Sequence, residues 1–362
     1  MKICFIVGAF PNMKCGVGDY TNIIAKELVA KGNDVSIITS KSAKKEKYEN
    51  FHVFNIMDSW NFKEKESILK ILREVQPDVV HIQYPSDMYG KSLFINLLPS
   101  MIKKEVQCKI VETVHEYLNY TTKGKIRNLI NYYYADQIIV VEKQYIERIK
   151  GFIPIISKKL NVKYIPISSN IPKSNITEEG IQNIKKELGI ENNIVISYFG
   201  FVNELKGIET LIQAVKELVK TKYNIKLMIL SELSKENNYQ KEILNMIEHL
   251  GIEDNIIVTG FIESSEKVAD YIKLSNLSVL PFIDGVSERN GSFLAAYNQG
   301  TPIVTTADSK KDSQGVYYVK PMDVNGTVNK IIDCLEKNMN LEFNREVLNW
   351  DDIVKAHLDI YK

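Results

Sequence analysis

The stretch VLPFIDGVSERNGSFLAAYNQGTPIVTT, Val279 to Thr306, holds the residue types that chemistry on an anion requires. An apolar, strand-like run ends in a polar loop, Asp284 to Asn290, which feeds a helix-like segment, Ser292 to Gln299; a second apolar run, Pro302 to Thr305, follows. The loop offers Glu288, Arg289 and Asn290, and the helix opens with Gly291 and Ser292. Unpaired amides and the positive end of the helix dipole favour an anion there. The guanidinium of Arg289 matches phosphate in a bidentate manner, against the plainer reading of a surface or ion-paired arginine. A second cation, Lys206, stands in FGFVNELKG just ahead of a helix that starts near Gly207; a solvated lysine is its plainer reading.

Other polar groups stand at the ends of apolar runs. Gln83 and Tyr84 close VVHIQY, and His115 and Glu116 follow KIVETV. His81 lies inside its run and reads as a satisfied core histidine. In VGAFPNMKCGVGDYT, Gly8, Gly16 and Gly18 flank a long loop ahead of a helix. Glycines there let backbone amides approach a phosphate or a sugar; a tight turn is the alternative. A nicotinamide dinucleotide is a poor match. Gly16 and Gly18 come late after the strand, Pro11 intervenes, and the second strand ends in Thr39–Ser40 without the acidic residue that binds ribose.

The elements that must position these groups alternate in type. Strand-like Ile3–Val7, Val35–Thr39, Val79–Gln83, Ile110–Val114, Gln137–Val141 and Val162–Ile165 enclose helical patterns at Tyr20–Lys31 and Glu66–Val75. A segment rich in Pro, Ser and Asn, Ile165–Gly180, reads as a linker. The pattern then restarts with strands at Ile194–Phe199, Ile225–Leu230, Ile256–Thr259, Leu277–Leu280 and Ile303–Thr305, and helices at Gly207–Lys220, Asn238–Leu250, Val268–Leu274 and Ser292–Gln299. Short apolar runs separated by helices imply parallel sheets covered on both faces. The fold class is therefore α/β, with two doubly wound domains, and a ligand is expected in the cleft between them beyond the strand carboxyl ends. The expected bounds are 1–168 and 175–345. A terminal helix at about 350–362, capped by Asp351 and carrying Ile353, His357 and Ile360 near one face, must dock on another element.

Composition agrees with this organisation. The chain has 362 residues, a net charge of +1, 44% hydrophobic and 25% charged residues, all ordinary for a soluble two-domain protein. Neutrality argues against nucleic acid as a partner. The basic runs Lys41–Lys47 and Met101–Lys109 read as solvated faces. No apolar run reaches the length of a membrane span, and the N-terminus reads as a buried strand rather than a leader. Cys4, Cys15, Cys108 and Cys334 show neither metal nor redox spacing, so reduced thiols and a cytoplasmic setting are expected, with no metal site.

Four stretches together resemble a known family. GVGDYTNIIAKELVAKGNDVSIIT, the pair PDVVHIQYP and VETVHE, SYFGFVNELKGIETLIQAVKEL, and the loop from Val279 are similar to the retaining glycosyltransferases of family four, whose GT-B fold has two facing Rossmann-like domains. The resemblance spans nearly the whole chain, and it implies that the terminal helix at about 350–362 packs back on the first domain. It implies transfer of a sugar from a nucleotide diphosphate sugar of unspecified base, with no metal or other cofactor and with retention of anomeric configuration. In such a site Lys206 and Glu288 act on the donor, and His115 faces the reacting sugar. Gly16, Gly18, Gly200, Phe201, Arg289, Asn290, Gly291 and Ser292 line the donor, and the backbone of Gly260, Phe261 and Ile262 meets the base. Gln83, Tyr84 and Glu116 lie on the acceptor side. The acceptor is a sugar or a lipid- or protein-linked group. The helix-like Asn119–Gln137, with Lys123, Lys125, Arg127 and Tyr132–Tyr134, is either a peripheral contact with the inner membrane face or a helix packing its aromatics inward.

The chain departs from the family twice. Phe201 stands where an arginine usually follows the glycine that ends the strand, and Arg289 is the candidate replacement. Two glutamates eight positions apart are usual around the donor loop; here the first position is Ser287 or Glu288, and the second is Ala295 or Ala296. These departures keep two alternatives open: a non-catalytic nucleotide-sugar-binding relative or partner of another transferase, and a sugar-nucleotide epimerase on the same fold.

Overall fold

The computed structural model describes residues 1–43, 51–152, 159–312, 314–336 and 349–362. Lys44 to Lys47 of the first basic run lie outside the described residues, as does the expected end of the second domain at 345. The chain forms two compact units, Met1–Ser168 with Leu348–Lys362, and Ser169–Val347.

In the first unit the strands are β1 (Lys2–Ile6), β2 (Asp34–Ser40), β3 (His52–Met57), β4 (Val79–Tyr84), β5 (Lys109–Val114), β6 (Gln137–Val140) and β7 (Val162–Tyr164), in the order β3-β2-β1-β4-β5-β6-β7. All pairs are parallel, with Ile3 opposite both Val35 and Val79. The near-continuous burial of VVHIQY and KIVETV follows from helices on both faces. The second unit has β8 (Ile194–Phe199), β9 (Ile225–Leu230), β10 (Ile256–Val258), β11 (Leu277–Leu280), β12 (Ile303–Thr306) and β13 (Val316–Val319), ordered β10-β9-β8-β11-β12-β13, again all parallel. Strand order reverses between β1 and β4 in one sheet and between β8 and β11 in the other. Those switch points open crevices at the strand carboxyl ends.

Strands β3 and β13 are additions to the sequence reading. Both carry half-buried side chains at sheet edges; polar Asn55 interrupts β3, and β13 is only four residues long. The helix Phe94–Glu105 was also missed, because Pro99 interrupts its pattern. The boundary between the units, at Ser168 and Ser169, falls inside the expected linker, and the later part of that stretch is strapped down. Gln299 donates to the Pro172 carbonyl (2.7 Å) and accepts from the Ser174 amide (2.8 Å), and Asn298 donates to the Ile171 carbonyl (3.1 Å), tying this stretch to the second unit.

The terminal helix Trp350–Tyr361 buries Ile353, Val354, Ile360 and Tyr361 in the first unit, each burial stabilising by about 1.5–3 kcal/mol. Its cap is Asn349, whose side chain accepts from the Asp352 amide at 2.8 Å. Asp351, expected at that place, sits in the first turn and pairs with Lys31 and Lys355.

The face of the first sheet that meets the helices Phe94–Glu105 and Thr122–Tyr134 holds a buried carboxyl, Glu112, fully covered and hydrogen-bonded by the Asn131 amide at 3.2 Å. Burial pushes it up to about 8 from 4.5, so it is held neutral through pH 7. A carboxyl raised in the folded state binds its proton more tightly there than in the unfolded chain. Its ionisation therefore removes stability as pH rises from about 4.5 toward 8, on the order of 1.4 kcal/mol per pH unit. The variant Glu112→Gln is expected to lose that slope and to be the more stable protein at pH 8, measured by urea unfolding across the range. Parallel curves for the two proteins would refute a raised carboxyl.

Candidate functional site

The second unit gathers a cationic cluster at its switch point. After β8 the chain turns through Gly200, makes a short turn at Glu204–Lys206 capped by the Asn203 side chain, and enters the helix Ile208–Leu218 through Gly207. Gly207 has φ +64°, and a Cβ there would lie 2.1 Å from the Pro281 carbonyl oxygen, so only glycine fits. The turn is tied again by the Ile283 amide, which donates to the Leu205 carbonyl at 3.1 Å. The loop after β11 therefore fixes the backbone of Lys206, and its ammonium lies 4.9 Å from the Phe282 ring centroid. Burial, and secondarily the positive charge of Arg289, holds the Lys206 ammonium below its ordinary range. Two cations from separate loops thus share one neighbourhood.

Beside them begins the helix Gly291–Gln299. Its N-cap is Asn290, but the Asn290 carboxamide oxygen turns back to accept from the Ser287 amide (2.6 Å) and hydroxyl (3.0 Å). The Asn290 side chain therefore does not cap the helix, whose first-turn amides keep their positive end. Ser292 abuts Gly200, where an added Cβ would meet the Ser292 hydroxyl at 2.4 Å. Gly200, Lys206, Arg289, Asn290, Gly291 and Ser292 are in this way brought to one end of β8 and β11. Phe201 is half exposed and Glu288 exposed on the same side. Gly260, Phe261 and Ile262 lie farther out, after edge strand β10. Both candidate glutamate positions, Ala295 and Ala296, are covered (0% and 1% exposed) in the apolar core of this unit, so a carboxylate on either would need room the core does not give.

The first unit holds the remaining candidates. His115 follows β5, and its Nε2–H donates to Gln83 Oε1 at 2.7 Å. The Tyr20 ring meets it edge-on at 5.1 Å between centroids. With the proton on Nε2, Nδ1 is the acceptor nitrogen of that tautomer. Gln83 and Tyr84, expected to line the acceptor side, are instead covered (0% and 2% exposed). Gln83 holds His115, and the Tyr84 hydroxyl is used on Asn128 (2.9 Å) and Arg127 (3.3 Å). Glu116 staples its own loop, accepting from the amides of Tyr117 (2.8 Å) and Asn119 (3.2 Å). Gly18 is required by packing, since a Cβ would lie 2.7 Å from the Ala9 carbonyl oxygen, whereas a side chain at Gly16 would meet open space. His81 is a satisfied core residue, bonded to Tyr361 (2.6 Å) and Thr113 (2.7 Å).

Sequence reasoning missed Tyr20, Trp350 and His357 around His115, and Pro281 and Phe282 under Lys206. Gly207 next to the lysine was the one available signal for the second group.

The chain belongs to the group 1 glycosyltransferases, GT-B proteins built from Rossmann-like halves: residues 15–167 match Glycosyltransferase Family 4, and residues 180–342 match Glycosyl transferases group 1. Among individual relatives, it is 22% identical over 319 residues to an alpha-monoglucosyldiacylglycerol synthase of Streptococcus pneumoniae, covering 82% of this chain and 68% of that one. It is 27% identical over 217 residues to the Staphylococcus aureus capsular polysaccharide biosynthesis glycosyltransferase CapM, covering 54% of each. Its fold is that of sucrose-phosphate synthase from Thermosynechococcus elongatus (TM-score 0.77, 16% identity, 100% and 98% of the two chains). It is also that of Anabaena HepE solved with UDP-glucose (TM-score 0.75, 15% identity, 99% and 100%).

Proposed function

We propose that this glycosyltransferase takes its sugar from a nucleotide diphosphate sugar, binds the diphosphate at the β8–β11 switch point, and transfers with retention of anomeric configuration. The observation that carries this reading is the convergence of Lys206, Arg289 and the uncapped start of the helix Gly291–Gln299. Breaking a sugar–diphosphate bond develops negative charge on the leaving phosphate, and fixed cations and amides aimed at that charge lower the barrier. They also do the neutralising that a divalent ion does in other transferases, so the reaction is metal-independent here. Arg289 serves in place of the arginine absent at Phe201. Glu288 touches the donor sugar, and Gly260 to Ile262 meet the base. His115 faces the reacting sugar, and Gly16, open at its Cβ, lets the helix start approach the donor.

Relatives suggest where to look for substrates. HepE was solved with UDP and with UDP-glucose, which puts uridine nucleotides first. The names of the two relatives point to a glycolipid or a polysaccharide as the class of product. Among the described residues no helix is long and apolar enough to cross a membrane. The helix Thr122–Tyr134 buries Tyr132 but exposes Ile126 (53%) and Tyr133 (56%) beside Lys123, which supports peripheral contact near a lipid-linked acceptor. A second reading, a non-catalytic nucleotide-sugar-binding relative, is favoured by the burial of Ala295 and Ala296, which leaves the ribose without its usual carboxylate.

Thermal unfolding with UDP, GDP, ADP, CDP and TDP separates these from an unrelated activity. A nucleotide at about 100 times its dissociation constant stabilises by about 2.7 kcal/mol. One base is expected to raise the midpoint; no shift with any nucleotide or nucleotide sugar would refute the site.

A further inference from the structure

The terminal helix reaches His115 through a chain of ring contacts and hydrogen bonds that its anchoring does not require. His357, fully covered, has its Nδ1 2.8 Å from the Ile353 carbonyl. A carbonyl only accepts, so Nδ1 carries the proton and Nε2 carries the lone pair. Tyr20 therefore donates its hydroxyl to His357 Nε2, at 3.2 Å. Burial holds His357 down to about 4, which keeps Nε2 an acceptor at neutral pH. The Tyr20 ring, 3% exposed, is wedged by Trp350 at 5.4 Å on one side and meets His115 edge-on at 5.1 Å on the other. Gln83 takes the His115 Nε2–H at 2.7 Å. The imidazole of His115 is thus fixed at one edge by Gln83 and at its face or edge by Tyr20, and Tyr20 is itself fixed by the terminal helix.

We propose that His357 and Tyr20 are positioning residues for His115: the terminal helix sets the orientation of the imidazole that faces the reacting sugar. This rests on the role given to His115 above. A phenol without its acceptor is buried and unpaired, and it must tilt to find another partner. That tilt moves the ring edge away from His115. Misplacing a reacting group by a fraction of its size costs one to two orders of magnitude in rate.

The test uses the full chain and three variants. His357→Leu removes the acceptor at similar volume, His357→Gln restores an acceptor oxygen for the Tyr20 hydroxyl, and Tyr20→Phe/His357→Leu removes both polar partners and keeps the ring. Two readouts are taken: the His115 imidazole resonances and their titration by NMR, and kcat with KM for the donor. In His357→Leu we expect shifted His115 resonances, kcat lower by about tenfold and an unchanged KM. His357→Gln and the double variant are expected to return both readouts toward wild type. His115 resonances unchanged in a folded His357→Leu protein would overturn the proposal, as would shifted resonances with wild-type kcat. Should the wild-type chain transfer no sugar, the transferase reading fails by itself, and the NMR titration alone then judges whether His357 orients His115.

Discussion

Lys206→Ala is expected to lower sugar transfer by about a thousandfold while leaving the protein folded. The ammonium is held by features that do not depend on the side chain itself. Gly207 fits against the Pro281 carbonyl, Leu205 and Ile283 share a backbone hydrogen bond, and the Asn203 side chain caps the turn. Truncation leaves that scaffold in place. It removes a contact with the Phe282 ring, of about 0.5–1 kcal/mol, and relieves the burial of the ammonium and, secondarily, its repulsion with Arg289, so the effects on stability oppose each other. Loss of the cation at the leaving diphosphate is not offset by anything comparable. Steady-state rates and a melting curve check both halves. Transfer within threefold of wild type would remove Lys206 from the site, and a collapsed melt would make it a structural residue.

The second large effect is expected at Gly207→Ala. Alanine at φ +64° costs about 1 kcal/mol, and here its Cβ would also meet the Pro281 oxygen at 2.1 Å, a distance no carbon keeps. The turn must shift away from the loop after β11, and Lys206 shifts with it. A loss of about 2–4 kcal/mol in stability and about a hundredfold in transfer is expected. Gly251 provides the control. It has nearly the same φ, +62°, at the end of the helix Asn238–Leu250, and a Cβ there meets nothing within 4 Å. Gly251→Ala is therefore expected to cost only the conformational part and to transfer normally. Equal losses in the two variants would mean that strain alone, and not the seat of Lys206, explains the first.

What was legible in the sequence followed the strength of each physical signal. Strands buried on both faces leave apolar-rich runs, such as Ile3–Ile6 of β1, and the central strands of both sheets were readable for that reason. The edge strands β3 and β13 are only half-buried over most of their length and were not. Cations at helix starts were readable because Lys206 and Arg289 stand beside Gly207 and Gly291. Contacts that cross the chain were not: Tyr20 and His357 are 337 positions apart, and only folding shows that they meet. The polar ends of β4 show the opposite failure. Gln83 and Tyr84 look like ligand-facing residues because polar side chains at strand ends often are, yet neighbours on His115, Asn128 and Arg127 absorb them.

The central claim is transfer with retention from a nucleotide diphosphate sugar held at Lys206 and Arg289. Its most direct measurement incubates the protein with UDP-glucose, and then with the other nucleotide sugars, in the presence of lipid and oligosaccharide acceptors. Released nucleoside diphosphate and the anomeric configuration of the product are read by NMR. The account predicts diphosphate release that depends on Lys206, with the product anomer the same as the donor's. An inverted product, or transfer that is indifferent to Lys206, would contradict it.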